Sequence, residues 1–450
     1  MSLNIGLVGI GVMGSNLALN MSDNSINVKV YNKSEEKINT LINKDLNNNI
    51  EGYTSLKTLV ENLEKPRTVM LLVPSGEATK TLIDDLTNLL DKDDLIIDAG
   101  NSYFLDSNEM GNLCEKKGVK FIGMGVSGGE EGARNGPALM IGSKDPINET
   151  LIKMLSSISA KKDGVPCVGT YEGFGTGHFI KMLHNGIEYA EMQIIAEAYS
   201  VLRASGLDNL EISNFFESFK EIGQSSYLIE ITAEIFQKKN SDGFLIDQIR
   251  PLANHKGTGK LTVQTSLDYG YPLSAIYESL NARIESNFKN DWQQEELKMS
   301  ENLDLNKLQR AVYFSRFATL IQGLLFIQFF STEHSLNIKI SEVLKNWMGG
   351  CIIRSDLLSE LTDFLNSDSK LEIIQIQNKL SNLVDDAKNI ITDCISNNIS
   401  TPVMSSTLNW YLNMSAEHNP SNLIQAQRDF FGAHTVQLLD SEEFLHLQWD

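Results

Sequence analysis

At 450 residues the chain is too long for one ordinary hydrophobic core, so two or three domains are expected. Its 42% hydrophobic and 21% charged residues give a soluble globular balance, and no uninterrupted apolar run reaches the roughly 18 residues that cross a bilayer. A formal net charge of −20 argues against nucleic acid and anionic membrane as partners, but leaves room for a small anion in a local cationic pocket.

The chain enters a strand at Asn4 with no signal peptide before it, which predicts a cytoplasmic protein. Cys114, Cys167, Cys351 and Cys394 are scattered without a C-x-x-C pair, so reduced thiols are expected, with neither a disulfide framework nor a metal site. The strand over residues 4–8 runs into Gly9-Ile10-Gly11-Val12-Met13-Gly14, and a helical pattern follows through Leu17 and Met21. G-x-G-x-x-G between a strand and a helix serves a dinucleotide. The first glycine makes the turn, the second lets a pyrophosphate near the backbone, and the third lets the helix pack closely.

A second strand, over 28–31, ends in Asn32-Lys33-Ser34. NAD sites place a carboxylate there for the ribose 2′-hydroxyl; this chain has none and offers one cation, which predicts NADP over NAD. Further strands over 68–73, 95–98 and 119–124 alternate with helical stretches and complete a doubly wound α/β domain. Two polar loops, Asp98 to Ser102 and Val126 to Gly132, follow strand ends and face the cofactor crevice.

Residues 177–189 carry the densest chemistry. Lys181, Asn185 and Glu188 are separated by four and seven positions. At about 100° per residue they fall within about 60° on one helical stripe. Lysine and glutamate at this spacing usually mark a solvated face. Here Phe179, Ile180, Met182, Leu183 and Ile187 make the helix apolar nearly all round, as in a buried one. A buried lysine loses basicity through desolvation and becomes a usable base near neutrality.

From His178 onward long amphipathic patterns dominate, over 194–202, 228–236, 308–330 and 371–391, so an all-helical domain is expected. His255-Lys256-Gly257-Thr258-Gly259-Lys260 reads as a loop that offers backbone N–H groups and ammoniums to a phosphate. Near the end, Gln425 to Thr435 leads into a tail with Phe444 and Trp449, which is expected to dock on this or another subunit.

Gly9 to Gly14, Asn32-Lys33-Ser34, residues 126–137 (VSGGEEGARNGP), residues 178–189 (HFIKMLHNGIEY), Lys256 to Lys260 and Gln425 to Thr435 together resemble the decarboxylating 6-phosphogluconate dehydrogenases, in order along the whole chain. The resemblance implies NADP-linked oxidation of 6-phosphogluconate to ribulose 5-phosphate and CO₂, in the oxidative pentose phosphate pathway. It further implies a metal-free homodimer whose tail enters the partner subunit. The expected organisation is a Rossmann-type α/β domain over 1–177, a large all-α substrate and dimerisation domain over 178–432, and a tail over 433–450.

Carried over by position, the resemblance makes Lys181 the acid/base at the C3 hydroxyl and Glu188 the proton donor to C1 of the product. It implies substrate contacts from Asn101, Ser127, Gly128, Gly129, His184, Asn185 and Tyr189, with Lys256, Thr258 and Arg283 on the phosphate and Arg428 and His434 arriving from the second subunit. Cofactor contacts would come from Gly9, Ile10, Gly11, Val12, Met13, Gly14, Asn32, Lys33, Ser34, Val73, Pro74, Ser75 and Asn101. Lys33 stands where an arginine is usual, Pro74 replaces a common lysine, and Leu261 a common tryptophan. A β-hydroxyacid dehydrogenase is the nearest competing enzyme class, and an inert NADP-binding scaffold the competitor from another class.

Overall fold

The computed structural model describes residues 4–254, 257–288, 297–299 and 303–449. In its first part the strands are β1 (Asn4–Val8), β2 (Asn27–Tyr31), β3 (Ile50–Tyr53), β4 (Thr68–Leu71), β5 (Leu95–Asp98), β6 (Lys120–Ser127) and β7 (Ala138–Ser143). A short hairpin, β8 (Lys161–Lys162) and β9 (Val165–Pro166), precedes β10 (Val168–Glu172). The helices between them are α1 (Val12–Asp23), α2 (Glu35–Ile42), α3 (Leu56–Glu61), α4 (Glu77–Thr87), α5 (Phe104–Lys116), α6 (Gly129–Asn135) and α7 (Glu149–Ile158).

One eight-stranded sheet takes the order β10-β7-β6-β5-β4-β1-β2-β3. Every neighbouring pair is parallel except β6–β7, where Gly125 opposes Met140. The central strands are buried on both faces by helices, which is why they read in sequence as continuous apolar runs rather than alternating ones. The order reverses at β1, between β4 and β2, and there the carboxyl ends open a crevice. Three strands of this sheet went unread in the sequence: β3 has four residues and a glycine, β7 doubles back antiparallel, and β10 is an edge. The strand expected over 68–73 ends at Leu71, and that over 119–124 extends to Ser127.

The second part is helical: α8 (Thr176–Ala204), α9 (Asn209–Glu221), α10 (Tyr227–Gln237), α11 (Thr258–Asp268), α12 (Ser274–Glu285), α13 (Leu305–Glu333), α14 (Ile340–Trp347), α15 (Asp356–Glu360), α16 (Ile373–Ser381), α17 (Val384–Ser396), α18 (Pro402–Ser415) and α19 (Ser421–Gly432). The pattern read over 371–391 as one helix is two, broken at Asn382 and Leu383 between α16 and α17. Thr258 to Lys260, expected in a loop, form the first turn of α11.

α8 and α13 are the two long axes of the helical core, joined by a fully buried ion pair from Arg316 Nε to Glu191 Oε2 at 2.8 Å. By length and composition α13 could cross a membrane, with mean hydropathy 1.3, but 83% of that stretch is buried inside the protein, as in a core helix. The four cysteines are free and buried.

α8 begins on top of the sheet. A Cβ on Gly177 would collide with the carbonyl of Met140 and lie 2.5 Å from that of Gly123, so only glycine lets the helix start this close to β6 and β7. One turn later a Cβ on Gly125 would collide with Lys181 Cβ. The sheet and the helix therefore meet where Lys181 stands.

Candidate active site

Lys181 is 7% exposed, and its Nζ donates to Ser127 Oγ at 3.0 Å and lies 3.4 Å from His184 Nδ1. Burial holds its pKa below the ordinary lysine value, against the opposing pull of Glu188. Ser127, the last residue of β6, is 1% exposed and bonds the opposite nitrogen of His184, Nε2, at 3.0 Å. His184 is completely buried, edge-on to Trp347, and desolvation followed by the Lys181 charge keeps it far below its usual pKa.

His184 Nδ1 also faces Asn185 Oδ1 at 3.4 Å and Glu188 Oε2 at 3.8 Å. Glu188 is held above the carboxylate range by desolvation, partly offset by Lys181 and Arg283. The guanidinium of Arg283, on α12, lies 3.6 Å from the centre of the Tyr189 ring, and burial depresses its pKa. A buried base and a buried acid with pKa values displaced toward each other suit proton transfer near neutral pH.

α11 completes the wall. A Cβ on Gly186 would lie 2.6 Å from Thr262, and one on Gly259 2.5 Å from the Tyr189 ring, so two glycines let α11 press against α8. Thr262 Oγ1 donates to the carbonyl of Met182 at 2.8 Å and fixes the register. Thr258, at the start of α11, then faces Lys181 and Asn185 across a narrow cleft that Asn101, Ser102, Tyr103 and His178 close from the sheet side. Gly128 and Gly129 follow Ser127 directly and open α6.

The structure brings Asn101, Ser127, Lys181, His184, Asn185, Glu188, Tyr189, Thr258 and Arg283 into one region. Lys256 lies outside the described residues. Arg428 and His434 are exposed on α19 and just after it and do not line the cleft. Sequence reasoning assigned nothing to His178 and Ser102. His178 Nδ1 meets Ser107 Oγ at 2.7 Å, while His178 Nε2 and Ser102 Oγ are buried without a partner on the cleft wall. The spacing of His178 to Lys181, three positions on one helix, was the available signal.

At the other end of the crevice, Gly9 has φ +96°, a region L side chains rarely adopt, and a Cβ there would lie 2.5 Å from the carbonyl of Leu72. A Cβ on Gly14 would collide with the carbonyl of Gly9, whereas one on Gly11 meets nothing within 4 Å. Gly11 caps α1 with no side-chain acceptor, so the first N–H groups of the helix face open space, a cradle that fits a pyrophosphate. Val73 packs against Gly9, and Pro74 and Ser75 continue that loop. Asn32 Nδ2 donates to the carbonyl of Ser34 at 3.3 Å, Ser34 caps α2, and Lys33 is exposed at the tip of β2.

Two family models cover nearly the whole chain: the NAD binding domain of 6-phosphogluconate dehydrogenase over residues 4–171 and the 6-phosphogluconate dehydrogenase C-terminal domain over 177–449. Decarboxylating 6-phosphogluconate dehydrogenases from Staphylococcus epidermidis and Escherichia coli K12 are each 38% identical, over 100% and 99% of this chain and 99% and 98% of their own lengths. The Plasmodium falciparum 6-phosphogluconate dehydrogenase, solved in its apo form, with its cofactor NADP+ and with its substrate 6-phosphogluconate, superposes with a TM-score of 0.94 at 33% identity, covering 99% of this chain and 100% of that one. A 3-hydroxyisobutyrate dehydrogenase from Salmonella typhimurium shares the fold over 66% of this chain at 14% identity and a TM-score of 0.51.

Proposed function

Since the chain belongs to the 6-phosphogluconate dehydrogenase family, we propose how its residues divide the work of that reaction. It is an NADP-dependent decarboxylating 6-phosphogluconate dehydrogenase, converting 6-phosphogluconate to ribulose 5-phosphate and CO₂. Bound NADP supplies the hydride acceptor. Neutral Lys181 takes the proton of the C3 hydroxyl as hydride leaves C3, and its ammonium then polarises the new carbonyl. The β-keto acid loses CO₂ as that oxygen takes the proton back from Lys181. Glu188 protonates the carbon that carried the carboxylate, while Lys181 removes the proton from the enediol oxygen and leaves the ketone.

The observation that carries the assignment is one buried amine and one largely buried carboxyl on a single helical stripe, displaced in pKa toward each other. Asn101, Ser127, Gly128, Gly129, His184, Asn185 and Tyr189 would hold the sugar acid, and Thr258, Arg283 and Lys256 its phosphate. Arg283, stacked on Tyr189 beside Glu188, supports an anion site there. Gly9 to Gly14, Asn32 to Ser34, Val73 to Ser75 and Asn101 would hold the cofactor, with Lys33 toward a 2′-phosphate. Purified protein should release NADPH and CO₂ only with 6-phosphogluconate, and Lys181→Ala should abolish NADPH formation. Wild-type turnover in that variant would refute the assignment.

The second-subunit role rests on the tail. Arg428 and His434 are absent from their own chain's cleft, and Phe430, Phe431, Leu438, Leu439 and Phe444 stand exposed around them. We assign these to a homodimer partner's site. Mixed Lys181→Ala and Arg428→Ala chains would then form heterodimers with one complete site, recovering about a quarter of wild-type activity on random pairing. No recovery would remove the exchange. The bacterial metabolic relatives and the buried state of α13 support a cytoplasmic enzyme. The division at residues 177 and 432 is likewise our reading.

A further inference from the structure

The reaction as written releases no net proton, since the one that leaves the C3 hydroxyl is matched by the one added to carbon. It nevertheless ends with Lys181 as an ammonium and Glu188 as a carboxylate, the reverse of how it began. Before the next turnover Lys181 must therefore lose one proton and Glu188 must gain one. Among the described residues the two groups make no ion pair with each other; the titratable ring between them is His184, whose Nδ1 lies 3.8 Å from Glu188 Oε2.

We infer that His184 returns this proton, taking it from the Lys181 ammonium at Nδ1 and delivering it from the same nitrogen to the Glu188 carboxylate. The inference rests on the assignment of Lys181 and Glu188 above. Three observations carry it. His184 Nδ1 lies 3.4 Å from Lys181 Nζ and 3.8 Å from Glu188 Oε2, so one nitrogen faces both ends of the transfer. The other nitrogen, Nε2, is occupied by Ser127 Oγ at 3.0 Å, which fixes the ring with Nδ1 toward the helix stripe. The ring is completely buried and edge-on to Trp347.

The step balances. The Nζ–H bond of Lys181 breaks as an Nδ1–H bond forms. That bond then breaks as the O–H bond of Glu188 forms, and a neutral amine, imidazole and carboxylic acid remain. Because the same nitrogen accepts and donates, no ring flip is needed before the next turnover. A site this tightly packed would make a flip slow. Burial lowers the basicity of His184 and raises that of Glu188, so both displacements favour the second half of the transfer. The Asn185 amide, 3.4 Å from Nδ1, sits at the exchange point without titrating.

The test compares one turnover with many. The first turnover begins from the resting protonation state and needs no return, whereas steady turnover needs one per cycle. For the full-length enzyme, NADPH formation is followed by stopped flow with enzyme in excess over 6-phosphogluconate, and kcat is measured at saturating substrate and NADP. In His184→Asn, and in His184→Gln should the first fold poorly, kcat should fall about tenfold or more further than the single-turnover rate, relative to wild type. A role in substrate binding or packing alone would lower both together, and an unchanged ratio in a folded variant overturns the relay. Lys181→Ala separates the two levels. Loss of its single turnover with an unchanged ratio at His184 removes only the relay, while a retained single turnover removes the assignment beneath it as well.

Discussion

Gly125→Ala tests the meeting of sheet and helix without touching any group that reacts. A Cβ at this position would collide with Lys181 Cβ and lie 3.0 Å from both Lys181 Cγ and the carbonyl of Gly177, where ordinary contact begins at 3.4 Å. Two of those three neighbours are backbone or backbone-linked, so the lysine stem cannot simply rotate away. β6 and α8 must separate by roughly 1 Å, a displacement that can cost about 100-fold when it falls on a positioned catalytic group. That is about 2.7 kcal/mol in the barrier. Overpacking of this kind also costs about 1–3 kcal/mol of stability, so the variant should fold with a lowered melting temperature. NADP binding, measured by titration, should change little, because the Gly9–Gly14 loop sits on β1, with β5 and β4 between it and β6. Steady-state NADPH formation should show kcat/KM down by about two orders of magnitude. A folded Gly125→Ala enzyme with near-wild-type kcat/KM would refute the claim that the close approach positions Lys181.

Activity should be bell-shaped in pH. It is lost at low pH as Lys181, its pKa lowered by burial, takes up a proton, and at high pH as Glu188, its pKa raised by burial, ionises. Arg283→Ala should move the alkaline limb upward, because the guanidinium lowers the pKa of Glu188, and should raise KM for 6-phosphogluconate; a limb that stays put would detach Arg283 from Glu188. Lys33→Glu should reduce the NADP-to-NAD ratio of kcat/KM by about tenfold, and equal ratios would show that Lys33 does not read the 2′-phosphate. Glu197, buried on α8, accepts from the backbone N–H groups of Val403 and Met404 at 2.9 Å each, and burial pushes its pKa up to about 7. An acid whose folded pKa is raised binds its proton more tightly when folded, so stability falls as pH rises from the unfolded value through about 7, by about 3 kcal/mol in all. Glu197→Gln should flatten the melting temperature between pH 5 and 8, and an unchanged slope would refute it.

Local chemistry was legible where it repeats at a fixed spacing. The glycine fingerprint announced its strand and helix because each glycine has a steric reason, and the Lys181–Glu188 stripe announced a buried helix because apolar residues surround it on every side. What stayed hidden depends on partners far away in the chain. Ser127 and His184 are 57 positions apart, and nothing in either segment says that one hydroxyl faces both the lysine and the imidazole. His178 and Ser102 stayed unread for the same reason, since their open valences exist only once β5 and α8 share a wall. β3, β7 and β10 were missed because short strands completed by neighbours carry little periodicity of their own. The 371–391 pattern misled because α16 and α17 bury faces that join smoothly across the break.

The placement of Lys181 explains why one helix can serve two chemistries. Hydride must leave toward a cofactor held at the carboxyl ends of the sheet, while the proton must leave toward a base, and both depart from the same carbon and its oxygen. A base on a sheet loop would compete with the cofactor for that side. α8 avoids this by starting on β6 and β7 at Gly177 and running away from them, so that Lys181 lies against Gly125, with Asn185 one turn and Glu188 two turns farther along. The amine thereby stands at the sheet end of the helix and the carboxyl near Arg283 and Tyr189. On the proposed assignment, the order of groups along the helix follows the order of events in the substrate: oxidation at the sheet end, then protonation at the far end. His184 stands between them, its Nδ1 3.4 Å from Lys181 Nζ and 3.8 Å from Glu188 Oε2, on the path proposed for the returning proton.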